Sequence, residues 1–250
     1  MTILDKKKIN KSSSFKYKIH NFAYMIRQNI KIAVDAVVFG YKDKALNVLL
    51  IKRDIEPFKD SWALPGGLVL EDESLEQAVE RELKEETNVT VDYMEQLYSF
   101  GKPNRDPRNR VVSVTYFALV KPEHHDIKAD TDAKDVAWFD VQDLPDLTFD
   151  HKTILEKAKG RLRSKLTYEP IGFDLLDDKF LFSDLEKLYM TILEKQIDRR
   201  NFRKKILSFN ILEELDEKVS EGRGRPANLF KFNKKQYFKH QKEGFLFDIK

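Results

Sequence analysis

Hydrophobic positions in the first two-thirds of the chain follow two periods. From Ile30 they alternate, Ile32, Val34, Ala36 and Val38 against Ala33, Asp35, Val37 and Phe39, which predicts a strand. Asn47-Val-Leu-Leu-Ile51 predicts a second, more buried strand after a polar turn at Lys42-Asp43-Lys44. Residues 54–61 are a polar loop closed by Trp62 and a Gly-rich turn at Gly66-Gly67. The period then becomes helical. Ser74-Leu-Glu-Gln77 reads as a capping box, and Leu75, Ala78, Val79 and Leu83 form the apolar side of the helix it opens, leaving its glutamates off the core side. Val111 to Val120 is a strong strand and Val136 to Phe139 a short one. A further helix from about Asp150 to Leu166 carries Ile154, Leu155, Ala158 and Leu162 on one face. Strands mixed with two helices predict an α/β unit.

The pattern changes after Tyr168-Glu-Pro-Ile-Gly172, the best candidate for a domain boundary. Leu185, Leu188, Tyr189 and Ile192 repeat at helical spacing behind a second apparent capping box, Ser183 to Glu186, and this helix ends near Lys195-Gln196. Three or four residues later Asp198 can cap another helix, Arg199 to Phe209, with Phe202, Ile206 and Leu207 inward. Two helices joined this tightly have the form of a helix-turn-helix. Residues 212–219, a Gly/Arg/Pro turn at 221–227 and Asn228 to Phe232 then predict a hairpin wing. Residues 1–29 are a Lys- and Ser-rich basic arm, in which Phe22 to Ile26 could dock on the body.

Charge sharpens this division. Residues 30–150 hold 15 Lys and Arg against 25 Asp and Glu, whereas residues 151–250 hold 23 against 16 and residues 1–29 hold 7 against 1. An acidic middle between basic ends suggests two tasks, with an anionic partner for the basic parts. There is no cysteine, which excludes disulfides and thiolate metal sites. No apolar run has the length of a bilayer span or a signal peptide, so a cytoplasmic protein is expected.

Three groups of residues carry chemistry. On the acidic helix Glu82, Glu85 and Glu86 stand at i, i+3 and i+4, so their carboxylates share a flank. Their mutual repulsion is relieved by a hard divalent cation such as Mg²⁺, which takes carboxylate oxygens. The loop Gly101 to Arg110 holds Lys102, Arg105, Arg108 and Arg110. These can grip phosphate or carboxylate oxygens, or the loop can be locked by two prolines and an Arg105–Asp106 contact. The helix after Asp198 carries Arg199, Arg200, Asn201, Arg203, Lys204 and Lys205 in its first two turns, where recognition helices reach base edges and phosphates. Arg223 and Arg225 at the wing tip suit a minor groove.

The stretch from Gly67 through Glu73, Arg81-Glu82-Leu83 and Glu85-Glu86 resembles the Nudix box, Gly-x5-Glu-x7-Arg-Glu-U-x-Glu-Glu-x-Gly-U with U aliphatic, approached through Trp62-Ala-Leu-Pro-Gly-Gly67. One position departs. Asn88 replaces the last glycine, just past the helix, where a left-handed backbone is needed and Asn is the next best residue. With the basic helices added, the chain resembles the Nudix-related transcriptional regulators of bacteria, in which Arg105 to Arg108, Phe149-Asp-His151, Asp198 to Arg203 and Gly222 to Pro226 have counterparts. The resemblance implies a Nudix α/β/α sandwich over residues 30–168 and a winged helix-turn-helix over 169–250. It implies a small-molecule effector, ADP-ribose or a sugar, held by Gly66, Gly67, Arg105 and Arg108. It also implies a homodimer that the effector releases from operator DNA. The other reading is an active Mg²⁺-dependent Nudix hydrolase that cuts a pyrophosphate. There Glu82, Glu85 and Glu86 would hold the metal, and Arg81 would pair with Glu73 to fix the helix.

Overall fold

One strand, β1 (Lys31–Lys42), is buried from Ala33 to Gly40 and sets the layers around it. Because side chains alternate along a strand, Val34, Ala36 and Val38 enter one apolar cluster while Val37 and Phe39 enter another. The first cluster is closed by Ala78, Val79 and Leu83 of α1 (Leu75–Thr87), and the second by Ile154, Leu155, Ala158 and Leu162 of α2 (His151–Leu166). This is the expected α/β/α sandwich. The computed structural model describes residues 29–91, 94–220, 226–244 and 247–249. Apart from Asn29, the basic arm lies outside the described residues, as do Arg223 and Arg225.

β1 pairs antiparallel with β2 (Ala45–Arg53) through a turn whose Asp43 and Lys44 both have positive φ, the geometry that matches strand twist in tight hairpins. The seven-stranded mixed sheet also contains β3 (Trp62–Ala63), β4 (Gly66–Leu68), β5 (Met94–Phe100), β6 (Val111–Val120) and β7 (Ala133–Asp140). β6 runs parallel to β1 from Lys31↔Val111 to Gly40↔Val120. The Gly pair, expected as a turn, forms β4 and pairs with Ala33 to Asp35 of β1. β5 has no counterpart in the sequence pattern, because only Leu97 of its seven residues is buried.

The C-terminal part builds α3 (Phe182–Leu193), α4 (Arg199–Ser208) and a small sheet ordered β8 (Phe180–Leu181), β10 (Ala227–Phe232), β9 (Leu212–Val219), followed by α5 (Lys234–Lys242). Two details differ from expectation. α3 starts at Phe182, and Asp184 rather than Glu186 reaches back to accept the Leu181 N–H at 3.3 Å. Leu207 is 40% exposed; Phe209, still helical in conformation and seven residues after Phe202, takes the inward place.

The halves share one core. Leu155, Leu162 and Leu166 belong to the same cluster as Leu185, Leu188, Tyr189 and Phe202. Gly172 sits where this packing is tightest: a Cβ there would lie 3.1 Å from Leu166 and 3.2 Å from Leu188. Polar straps reinforce the seam. Arg163 Nε donates to the Ile192 carbonyl at 3.1 Å, and Arg163 also pairs with Glu194, which accepts from Gln142 Nε2 at 2.7 Å. Glu194, in a left-handed conformation, ends α3 and begins the turn to α4. Thermal unfolding followed by Trp62 and Trp138 fluorescence and by far-UV circular dichroism is therefore expected to give one coincident transition. Leu166→Ala, at the seam, should lower stability by about 2–5 kcal/mol without separating the two signals; two resolved transitions would contradict a shared core.

Candidate ligand site and nucleic-acid interface

α1 is fixed at both ends by its own sequence. The Ser74 hydroxyl accepts the Gln77 N–H and the Gln77 side chain accepts the Ser74 N–H, completing the capping box. At the other end Asn88 has φ 58°, its N–H donates to the Lys84 carbonyl, and its side-chain amide donates to the Asp126 carbonyl at 2.9 Å. Asn thus meets the backbone requirement of the glycine position and adds a tether that glycine lacks.

Arg81 organises the acidic face. Its guanidinium grips Glu73 through two hydrogen bonds of 2.9 and 2.7 Å, and its Nη1 donates to Glu82 at 2.8 Å and to Glu85 at 3.1 Å. The Arg81 bonds, with help from the Leu70 N–H, hold the Glu73 carboxyl down at about 2. Glu86 behaves differently. Contrary to expectation it is only 4% exposed, because β4 folds across it and the Gly66 N–H donates to it at 2.8 Å. Burial pushes its pKa up to about 8, with the nearby Glu82 charge acting in the same sense. Burial also raises Glu82, against the pull of Arg81. Both glycines are required by close approach: a Cβ on Gly66, at φ 149°, would lie 2.2 Å from the Val34 carbonyl oxygen, and one on Gly67 would occupy the place of the Glu82 carboxylate. Three carboxylates on one flank, two of them deprived of solvent, are a donor set suited to a hard divalent cation.

Beyond the box, Arg105 is buried. Its guanidinium donates to Asp35 at 3.0 Å and to Asp150 at 2.7 and 3.2 Å. Asp106 pairs with Arg108 at 2.8 Å instead of with Arg105. His151 Nδ1 accepts the Leu64 N–H at 2.9 Å, its Nε2 lies 3.6 Å from Asp35, and burial lowers its pKa. Sequence reasoning overlooked Arg53, a cation at the end of a strand that belongs to no motif. Its guanidinium stands 5.3 Å over the Phe149 ring, near Arg108 and Glu86.

On the basic surface, Arg199, Arg200, Asn201, Arg203 and Lys204 of α4 are all exposed. Their surroundings differ. Asn201 Nδ2 donates to Asp198 at 2.8 Å within the helix cap. The Arg203 guanidinium lies 4.3 Å over Phe182 and 5.3 Å over Phe230, joining α4 to α3 and β10. Arg199 Nε is 3.8 Å from Glu186, whose pKa burial raises.

The NUDIX domain family matches residues 29–158, more than half of the chain, and the NrtR DNA-binding winged helix domain matches residues 172–232. The ADPR responsive transcriptional repressor NtrR of Acinetobacter baylyi is 34% identical over 82% of this chain and 83% of its own length. The chain belongs to the Nudix-related transcriptional regulators. Shewanella oneidensis NrtR complexed with a 27mer DNA superposes with a TM-score of 0.74 at 35% identity, covering 86% of this chain and 97% of that one. The NUDIX domain of the same protein complexed with ADP ribose gives 0.52 at 38% identity, over 59% of this chain and 97% of that one. An ADP-ribose pyrophosphatase of Methanocaldococcus jannaschii is 38% identical over 53% of this chain and 75% of its own. Among the described residues no helix is long and apolar enough to cross a membrane.

The raised Glu86 pKa makes stability fall with pH. With a folded pKa of about 8 against an ordinary 4.5, the native state holds this proton more tightly, so the contribution of this group to stability is full below 4.5 and is lost as pH rises through 8. Glu86→Gln, which keeps an acceptor for Gly66, should gain on the wild type across that window by on the order of a few kcal/mol. Denaturant titrations without divalent cations check this; a difference independent of pH would refute it.

Proposed function

We propose that this chain is a transcriptional regulator whose Nudix domain senses ADP-ribose and whose winged helix binds operator DNA as a homodimer. The observation that carries this reading is the path of α2. Its cap Asp150 and first residue His151 belong to the polar network under the ligand site, and Arg163 near its other end is bonded to the end of α3 and to Glu194. A helix that runs from the ligand site to the turn leading into α4 gives ligand binding a route to DNA affinity. The ligand and DNA named for the Acinetobacter and Shewanella proteins support the choice of effector and partner. In this reading Arg199, Arg200, Asn201, Lys204 and the wing arginines Arg223 and Arg225 face the duplex, while Arg203 braces the wing. Gly66, Gly67, Arg105 and Arg108 belong to the effector site.

A second reading, slow hydrolysis of the effector, is favoured by the complete set Glu73, Arg81, Glu82, Glu85 and Glu86. Mg²⁺ held by Glu82, Glu85 and Glu86 would supply a Lewis acid for a phosphoryl oxygen. Arg81 holds Glu82 and Glu85 in place while anchored to Glu73, and the Gly66 N–H holds Glu86. Loss of ADP-ribose cleavage in both Glu85→Gln and Glu86→Gln supports a metal role; activity retained in both removes it.

Anisotropy titrations with upstream duplex DNA are expected to show tight binding that weakens steeply with salt. ADP-ribose should release the DNA and pentoses should not; no duplex binding, or release by pentoses alone, overturns the reading. Arg200→Ala should weaken DNA binding with an unchanged melting temperature. Arg203→Ala should also lower stability by about 1 kcal/mol, through its lost ring contacts.

A further inference from the structure

The outer side of α4 is basic, yet a carboxylate stands behind its first residue. Glu186 comes from the neighbouring helix α3, and its side chain is only 12% exposed. It lines a cleft between α3, α4 and the β9–β10 hairpin, together with Arg203, Lys218 and Asn228. Its ion-pair partner is Arg199, whose Nε lies 3.8 Å from Glu186 Oε2. The charge of Arg203 also reaches it, but that guanidinium is already seated over the Phe182 and Phe230 rings.

For phosphate affinity alone, this acid is misplaced. A protein that grips a duplex through its phosphates gains from each cation on that face and loses from each carboxylate. Withdrawing the carboxylate from water adds a further cost, which an ion pair does not always offset. Glu186 therefore works against tight binding to duplexes of any sequence.

The geometry of the contact shows what it does instead. Arg199 is the first residue of α4, and the first residues of a recognition helix are those that reach base edges. Its side chain is 68% exposed, so it projects away from the protein. The guanidinium meets Glu186 through its Nε side, which leaves Nη1 and Nη2 for the paired acceptors of a guanine edge. An unbraced surface arginine samples many rotamers, and ordering it on a base cancels part of what the contact contributes. A carboxylate on the adjoining helix restrains it before the duplex arrives. We infer that Glu186 is a positioning residue for sequence recognition: it braces Arg199 so that the guanidinium fork reads a guanine in the major groove, lowering general duplex affinity and raising discrimination. The inference rests on the winged helix binding operator DNA.

Anisotropy titrations of the full chain, run below the melting transition of every variant, test it with the upstream duplex and a scrambled duplex of the same length and base composition. The wild type should prefer the upstream duplex. Glu186→Gln keeps the shape and removes the charge. It should bind the scrambled duplex at least as tightly as the wild type does, while its preference for the upstream duplex falls by about twofold to tenfold, the cost of ordering one long side chain. Arg199→Lys, which keeps the charge and removes the fork, should lower the preference by about fivefold or more. Adding Glu186→Gln to Arg199→Lys should lower it no further, whereas adding it to Arg203→Ala should have its full effect. An unchanged preference in Glu186→Gln overturns the inference, and so does an equal loss on the Arg199→Lys background. A wild type that binds both duplexes equally overturns it too, while leaving duplex binding intact. A wild type that binds neither duplex removes the regulator reading, and the inference with it.

Discussion

A guanidinium buried between two carboxylates is the fixed point of this molecule. Arg105 comes from a Pro-containing loop, Asp35 from the centre of β1 and Asp150 from the cap of α2, so one cation joins the sheet, the loop and the helix. Asp35 also accepts the Ser113 hydroxyl of β6 and faces His151. Arg105 is the shared partner, and removing it would leave the buried Asp35 without its cation, which is far more damaging than the pair is stabilising. The start of α2 and the placement of Leu64 and the following β4 over Glu86 inherit their positions from this cluster.

α2 carries that fixed point away from the ligand site. At 1.5 Å per residue, the thirteen positions from Asp150 to Arg163 span roughly 20 Å. One end answers to Arg105 and Leu64, the other to Ile192 and Glu194. A ligand that favours one placement of this helix shifts the α3–α4 turn with it. By linkage, duplex on α4 alters ligand affinity by the same factor. The glutamate face is a second charge-sensitive element in the same unit. Arg81 neutralises Glu82 and Glu85, while Glu86 waits buried and largely protonated below pH 8.

What could be read from the sequence was local. The Ser74 capping box, the left-handed Asn88 and the Asp198 cap each depend on residues within four positions, and all three are present. Strand β6 and helix α2 were legible because one side or both are uniformly apolar. Features set by distant partners were not. Arg105 finds Asp35 across 70 residues and Leu64 finds His151 across 87, separations that leave no periodic trace. β5 buries one residue and α5 none, so neither carries a pattern. The helical period placed Glu86 correctly on its flank but could not show that β4 would cover it. The charge of Arg203 is visible in sequence, and the two rings beneath it, Phe182 and Phe230, are not.

The seam between the halves bears on how such proteins diversify. Leu166, Leu188 and Tyr189 interlock around Gly172, so cutting at the short connection before α3 would expose greasy surfaces on both pieces. A new sensing specificity is therefore more accessible by rewriting the loops around the ligand site than by grafting a foreign sensor onto the winged helix. Any graft that worked would have to bring α2 and its matching α3 face together, as a single inherited block.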